Sequence, residues 1–580
     1  MRSRLIFLFL VLFGHALAGT VLFSSGDAWA EAGHSDGSLV AFSSEAELRA
    51  YLRKLRKAEE GTAIAEVIVS PPVAAAPPVA ESSAADNLSD LPSLRATGAP
   101  GITNNQEAGV DEGDIVKVRG DTLVILRRGR LFTVSLAGGA MRPVDMINAF
   151  PPGVSGEDDW YDEVLISGDR IIVVGYSYAR GGTEVNRFRL DAAGRLRFED
   201  AWHLKSSDYY SSRNYASRLI GDKLIFYAPL YLEWDKDPLE ALPAVRRWRG
   251  DTKARFKRIA SPGQIYIVPS MRRNREAEVD TLHSVTSCDL TAAELDCSAT
   301  GVLGPDSRTF YVSSDAVYLW VTDDSAWDSK RKGPDAFVYR LPFGKERPSA
   351  VAARGAPVDQ FSFREDRGGG LLNVLVRSEG GGDAMFLPEV TRGGVALLQL
   401  RMSDFGDGSR EAPRARYRVL PAPKEDDWSF QNRFAGDYLL YGAGEYGEER
   451  RATSLYAAPL DGGPVEELAL PHAIGRIELM GRDAVVVGET PKGLGFTTVE
   501  LLGRRPLRPR GQRRGGDPQP RLLLQPGSGL CRRRVGDARP AGGAARRSGV
   551  RALLRQLSRD GLPPARRAAP VPGGRARGGR

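Results

Sequence analysis

The sequence predicts an all-β fold made of repeated units, and three observations carry that expectation. The first is a Gly-Asp-type turn followed by a short run of β-forming apolar residues. It stands at Gly120-Asp121, Gly168-Asp169, Gly221-Asp222 and Gly436-Asp437, with a near copy at Gly481-Arg482-Asp483 and a weaker one at Ser314-Asp315. The second is spacing. Successive marks lie 48, 53, 93, 122 and 45 residues apart, the period of stacked supersecondary units. The third is pattern. Runs such as residues 123–126 and 171–174 are short, rich in Val and Ile, and bounded by turn residues, as buried strands are. Four-stranded units of this size, radially repeated, make a β-propeller of about seven or eight blades, the last one incomplete, preceded by one short helix. An array of sandwiches is the runner-up. It needs separate domains joined by linkers, and no linker interrupts residues 104–502.

From the N-terminus, Arg2 and Arg4 precede an apolar run over residues 5–23, and Ala28-Trp29-Ala30 forms a small-residue cleavage site. Together they read as a secretory signal over residues 1–30. An uncleaved signal would instead anchor the chain, and only then is a membrane partner expected. Residues 31–60 hold one helix. Ser44 with Glu47 three positions on reads as a capping box. Leu48, Tyr51, Leu52 and Leu55 recur on one helical face, suited to packing on the main body. Residues 61–103 are rich in Ala, Pro and Ser without apolar periodicity, the composition of a flexible linker.

Within residues 104–502 the interval of 122 hides a degenerate mark at Gly370, and the interval of 93 is one unit enlarged by the charged segment 233–261. Glu157-Asp158-Asp159-Trp160 recurs as Glu425-Asp426-Asp427-Trp428, each copy opening 11 residues before its Gly-Asp mark. That correspondence places the two copies at equivalent points of two units.

Strand patterning stops near residue 502. Residues 503–580 hold 21 Arg, no Lys, three acids and no aromatic residue, which leaves 59 basic and 70 acidic side chains in residues 1–502. The formal net charge of +7 therefore belongs to the tail, and a nucleic-acid partner is not expected for the body. The tail reads as disordered Arg/Gly/Pro-rich sequence, and its Arg-without-Lys bias is that of a GC-rich gene translated in a shifted frame. An arginine-rich nucleic-acid tail is the functional alternative. Cys288 and Cys297 are separated by eight residues. In an oxidising compartment a disulfide between them is expected over free thiols, and two Cys without nearby His make a poor metal site.

The segment over residues 103–117, TNNQEAGVDEGDIVK, resembles the signature of a family of secreted bacterial and archaeal proteins with a C-terminal β-propeller, whose members read roughly T-N-x-Q-x-x-G-V-D-E-x-D-I-V-K before the first Gly-Asp turn. The resemblance spans about residues 40–502 and includes the capped helix and the linker. It implies the fold and an extracytoplasmic address. It implies no reaction, because the family has no general activity or catalytic residues to carry over. The tail departs from the family pattern, which puts ring closure in doubt.

Two acidic groups are the candidate sites. Asp111, Glu112 and Asp114 offer oxygen ligands for calcium, the one cofactor the sequence raises, although their spacing is not that of an EF-hand. The alternative is structural: polar side chains that fix the lead-in to the first blade by capping backbone groups. Asp158, Asp159, Asp426 and Asp427 would line an acidic rim for a cationic ligand if both turns open on one face. Their alternative is solvated turns, each with a Trp packed below. His203, His283 and His472 are isolated in sequence and read as surface or strand residues, and H-E-x-x-H does not occur. Tyr209, Tyr210, Tyr215, Tyr231 and Trp234 are candidate contact anchors, with ordinary blade packing as the alternative. The expected function is an exported binding scaffold whose partner is an envelope protein or a polysaccharide. The alternative is an extracytoplasmic hydrolase acting on peptide or glycan.

Overall fold

Each Gly-Asp-type mark is the first hairpin of one sheet in the computed structural model. Gly120, Gly168, Gly221, Gly370, Gly436 and Gly481 all hold positive φ there, between 54° and 65°, which only a residue without Cβ adopts cheaply. At the remaining mark Ser313 does this work: its hydroxyl accepts from the Asp315 and Ala316 amides. The structure describes residues 37–63 and 105–501, apart from 158, 179, 208–215, 233–236, 251–253, 275–276, 278, 323–333, 335, 381–390, 424–428, 445–452, 482 and 491–492. The chain divides into two units, Met1–Asp36 and Gly37–Arg580, and every described residue belongs to the second. The expectations for the signal, for most of the linker and for the tail fall outside the described residues.

Among the described residues the strands form seven sheets, numbered here in chain order. Their first strands are Val116–Arg119, Asp159–Ser167, Ala216–Ile220, Arg308–Val312, Phe363–Asp366, Ser429–Ala435 and Arg476–Met480. Each then continues as an antiparallel meander. The expected four strands hold for sheets 1, 5 and 6; sheets 2 and 3 have six, sheet 4 has five and sheet 7 has three. One strand added to sheet 3, Asp111–Glu112, comes from the segment ahead of the first sheet, and the other additions to sheets 2 and 3 share a source. The insertion expected at 233–261 in the third unit extends over residues 232–280. They contribute Ala244–Arg247 and Lys257–Arg258 to sheet 2, and a parallel strand, Ile265–Tyr266, to sheet 3. They also contain a second short helix, Pro269–Arg273, which the sequence reading did not foresee.

Among the described residues, consecutive sheets are held face to face by six shared cores. Val124 and Leu126 of sheet 1 meet Val164 and Ile171 of sheet 2, and Leu165 and Ile172 of sheet 2 meet Leu224 and Phe226 of sheet 3. Further cores join sheets 3 and 4, 4 and 5, 5 and 6, and 6 and 7. A sheet covered on both faces needs no polar alternation, and residues 171–174 and 316–321 are accordingly buried throughout.

The helix Glu45–Ala63 runs slightly beyond its expected end. Leu48, Leu52 and Leu55 enter the core shared by sheets 3 and 4, where Tyr51 lies 5.5 Å from the Phe42 ring. Its cap is offset from the expected box. Ser44 Oγ accepts from the Glu47 amide at 3.2 Å, while the Glu47 carboxylate accepts from the Ser43 amide at 2.7 Å. Cys288 and Cys297 stand directly opposite each other on Thr281–Asp289 and Asp296–Gly304 of sheet 3, joined by a disulfide of 2.03 Å.

Candidate functional site

Residues 105–117 bring four sheets together before entering the first. Gln106 Nε2 donates to the carbonyls of Gln360 and Phe363, at 2.7 and 3.3 Å, where sheet 5 begins. Tyr311 of sheet 4 donates its hydroxyl to Glu107 at 2.6 Å. Asp111–Glu112 pairs with Ala216–Ile220 of sheet 3. Asp114 exchanges backbone hydrogen bonds with Val164 of sheet 2. The strand Val116–Arg119 then opens sheet 1. The stretch thus ties together the first strands of consecutive sheets.

The three carboxylates of the calcium candidate are engaged in this tie. Asp111 meets Lys117 Nζ at 2.7 Å and Glu112 lies 3.4 Å from Arg218 Nη2. Glu112 also accepts from the Gln106 amide at 2.9 Å, and Asp114 accepts from the Ile115 amide at 2.7 Å. Successive strand residues point to opposite faces, so Asp111 and Glu112 do not converge. Among the described residues no group of three or more His, Cys, Asp or Glu is arranged to hold a metal ion. Gly113 passes so close to Glu163 that a Cβ would stand 2.6 Å from its carboxyl. Enclosure pushes the Glu163 carboxyl up to about 7, against a hydrogen bond from Ser217.

At one end of sheet 2 a row of directly opposed residues crosses five strands: Tyr161, Gly175, Glu184, His203 and Arg246. Gly175 has no side chain because there is no space for one; a Cβ would lie 2.2 Å from the Trp160 carbonyl and 2.4 Å from the Tyr161 ring. Tyr161 lies over it and donates to Glu184 Oε2 at 2.7 Å. His203 Nε2 reaches Glu184 Oε1 at 3.0 Å, and Arg180 Nε reaches the same oxygen at 2.6 Å. Burial opposes ionisation of Glu184, yet the hydrogen bonds from His203 and Arg180 outweigh it and hold the carboxyl down at about 2. Arg180 also pairs with Asp159. Asp159, expected either on an acidic rim or in a solvated turn, has a side chain only 1% exposed. Buried carboxylates of this kind persist only when matched by cations and donors.

Side chains alternate along the strand, so Trp160 leaves on the face opposite Asp159 and Tyr161. The solvated-turn alternative placed it packed below its turn, whereas it is 58% exposed. Tyr176 stands directly across from it, and Tyr178 meets Tyr176 edge-on at 5.0 Å. The result is an aromatic row at the end of sheet 2, backed by the ion network.

Asp158, Asp426, Asp427, Tyr209, Tyr210, Tyr215 and Trp234 lie outside the described residues, so their convergence is not described. Tyr231 ends the strand Lys223–Tyr231, half-buried. His203, His283 and His472 are all buried strand or strand-flanking residues rather than surface ones. His283 accepts from the Tyr227 hydroxyl at 3.0 Å and donates to the Pro305 carbonyl at 2.8 Å. Sequence reasoning missed Arg180, Glu184 and His203 as a group, because their proximity depends on strand register. The only local signal was Gly175 inside an apolar strand, the mark of a close approach.

A family model described as a beta propeller domain matches residues 101–407, just over half of the chain. No curated protein matches it. Among solved structures, BamB from Moraxella catarrhalis is 9% identical, with a TM-score of 0.25 over 68% of this chain and 96% of that one. The β-propeller domain of the Trilobed protease from Pyrococcus furiosus is 11% identical, with a TM-score of 0.21 over 60% and 94%. A prolyl endopeptidase is 10% identical, with a TM-score of 0.26 over 67% of this chain and 54% of the other.

Proposed function

Because the chain belongs to the beta propeller domain family, we propose that it is an exported binding scaffold, its seven sheets arranged as blades and its ligand an envelope protein or polysaccharide. The observation that carries this reading is the aromatic row of Trp160, Tyr176 and Tyr178. Large aromatic side chains concentrate contact energy at little entropic cost when they are already held in place. Here the strand beneath is fixed from behind by Arg180, Asp159 and Glu184. An exposed Trp on a rigid sheet end suits a sugar ring or an apolar peptide side chain equally.

The carboxylates near the lead-in segment support a scaffold over a hydrolase. Asp111 and Glu112 are matched by Lys117 and Arg218, and Glu184 is fully enclosed. A general acid or base must reach its substrate. Export rests on the N-terminal charge and apolar pattern, and the Cys288–Cys297 disulfide accords with an oxidising compartment. No helix among the described residues is long and apolar enough to cross a membrane. An uncleaved signal is the alternative means of membrane attachment.

The test uses the full chain immobilised against solubilised envelope proteins and against a polysaccharide panel, with Trp160→Ala as the control. Saturable binding weakened at least tenfold by W160A supports the reading. Binding unchanged by W160A sinks the assigned surface. Turnover of a generic peptide or glycan substrate sinks the scaffold.

A further inference from the structure

The two end sheets of the series differ from the five between them. In sheet 7 the strands Asp483–Thr490 and Gly493–Val499 alternate in burial. Ala484, Val486 and Val499 are buried against sheet 6, whereas on the other face Val485 and Val487 are half-buried, Leu494 is 55% exposed and Phe496 is 40% exposed. Sheet 1 is open on its outer face only in part. Val124 and Leu126 are buried against sheet 2, while on the other face Phe132 and Val134 are buried, Leu123 and Ile125 are half-buried and Met146, opposite Phe132, is 49% exposed. Among the described residues no core joins sheet 7 to sheet 1. Aliphatic and aromatic side chains on a free face mark a surface built for a partner.

Sheet 7 is also unfinished. Among the described residues it has three strands, and no further described strand lies beside Gly493–Val499. In sheets 1 and 6 a fourth antiparallel strand follows the third after a short turn. The chain continues directly from that edge. The 79 residues after Leu501 exceed the 45 to 53 that separate neighbouring marks without an insertion, but they lack aromatic residues and strand alternation.

We infer that the free faces of sheets 7 and 1 are the seat of one further sheet of this same protein, encoded directly after Leu501 in the reading frame next to the one that yields residues 503–580. The three-stranded sheet 7 with its one-sided face, the partly open outer face of sheet 1 and the abrupt compositional change each indicate it. An in-frame strand would first complete sheet 7, and four more would cover both apolar faces.

The experiment has two arms. The gene and transcript are sequenced across codon 502, and the chain is expressed both as it stands and with a single-base correction there. The expected correction opens at least 45 codons with a further Gly-Asp-type mark and alternating apolar runs. The chain as it stands then binds 1-anilinonaphthalene-8-sulfonate several-fold more than the corrected chain, and Phe496→Ser or Leu494→Ser lowers dye binding only in the former. The inference is overturned if neither alternative frame is open and strand-patterned. It is equally overturned if the two chains bind dye alike, or if the chain as it stands hides the face by forming a dimer that F496S dissociates.

Discussion

The phenol of Tyr161 crosses the bare backbone of Gly175 to donate to Glu184, 2.7 Å away on the next strand but one. Gly175→Ala would put a methyl group 2.4 Å from that ring, so the ring must leave and the buried carboxylate loses a donor. The expected destabilisation is about 2–4 kcal/mol by urea unfolding. Tyr161→Phe alone should cost about 1–3 kcal/mol. In the double variant Y161F should add little, because the displaced ring no longer makes the bond. Additive costs would show that the tyrosine does not depend on the glycine.

Two buried groups pull the pH dependence of stability in opposite directions. Glu163, raised from its ordinary 4.5 to about 7, keeps a proton that the unfolded chain releases, so stability falls as pH rises through that window. His283, which burial lowers from 6.5 to about 3, refuses a proton that the unfolded chain accepts, so stability falls as pH drops from 6.5 toward 3. Each contributes at most about 1.4 kcal/mol per pH unit, and between pH 4.5 and 6.5 they offset. Glu163→Gln should leave a profile that rises with pH over that range. His283→Gln should leave one that falls. Melting temperatures across the range decide, and a slope unchanged in both variants refutes the assignment.

The Cys288–Cys297 bridge closes a loop with a sequence separation of 9. Its reduction should cost about 2–3 kcal/mol by the loop-closure argument. Thermal unfolding with and without dithiothreitol measures this, and the Cys288→Ser/Cys297→Ser variant should show no further response to reductant.

Millimolar calcium should leave the melting temperature unchanged, since Asp111 and Glu112 are already matched by Lys117 and Arg218. Asp111→Asn should destabilise by about 1–3 kcal/mol instead, because Lys117 is only 4% exposed and would lose its charged partner. A calcium-induced rise in melting temperature that D111N abolishes would reverse this expectation.

The repeat of the fold was legible because a hairpin with positive φ selects glycine, and that selection is local. The degenerate mark at Gly370 and the enlarged third unit were readable for the same reason. The contents of the insertion were not, because Ala244–Arg247 and Ile265–Tyr266 join their sheets through strands more than 30 residues away in sequence. The acidic pair at Asp159 illustrates the limit at the site. An Asp in a turn looks solvated until Arg180, on the far side of a hairpin, is known to face it.

The tie formed by Gln106 has a consequence for the order of assembly. Its bond to the Phe363 carbonyl spans 257 residues, so this early stretch cannot find all its partners until the fifth sheet has left the ribosome. Closing loops of that size is slow. The beginning of the body therefore settles only once sheet 5 is made, and a nascent chain halted before sheet 5 would carry this polar segment without its partners at Gln360 and Phe363.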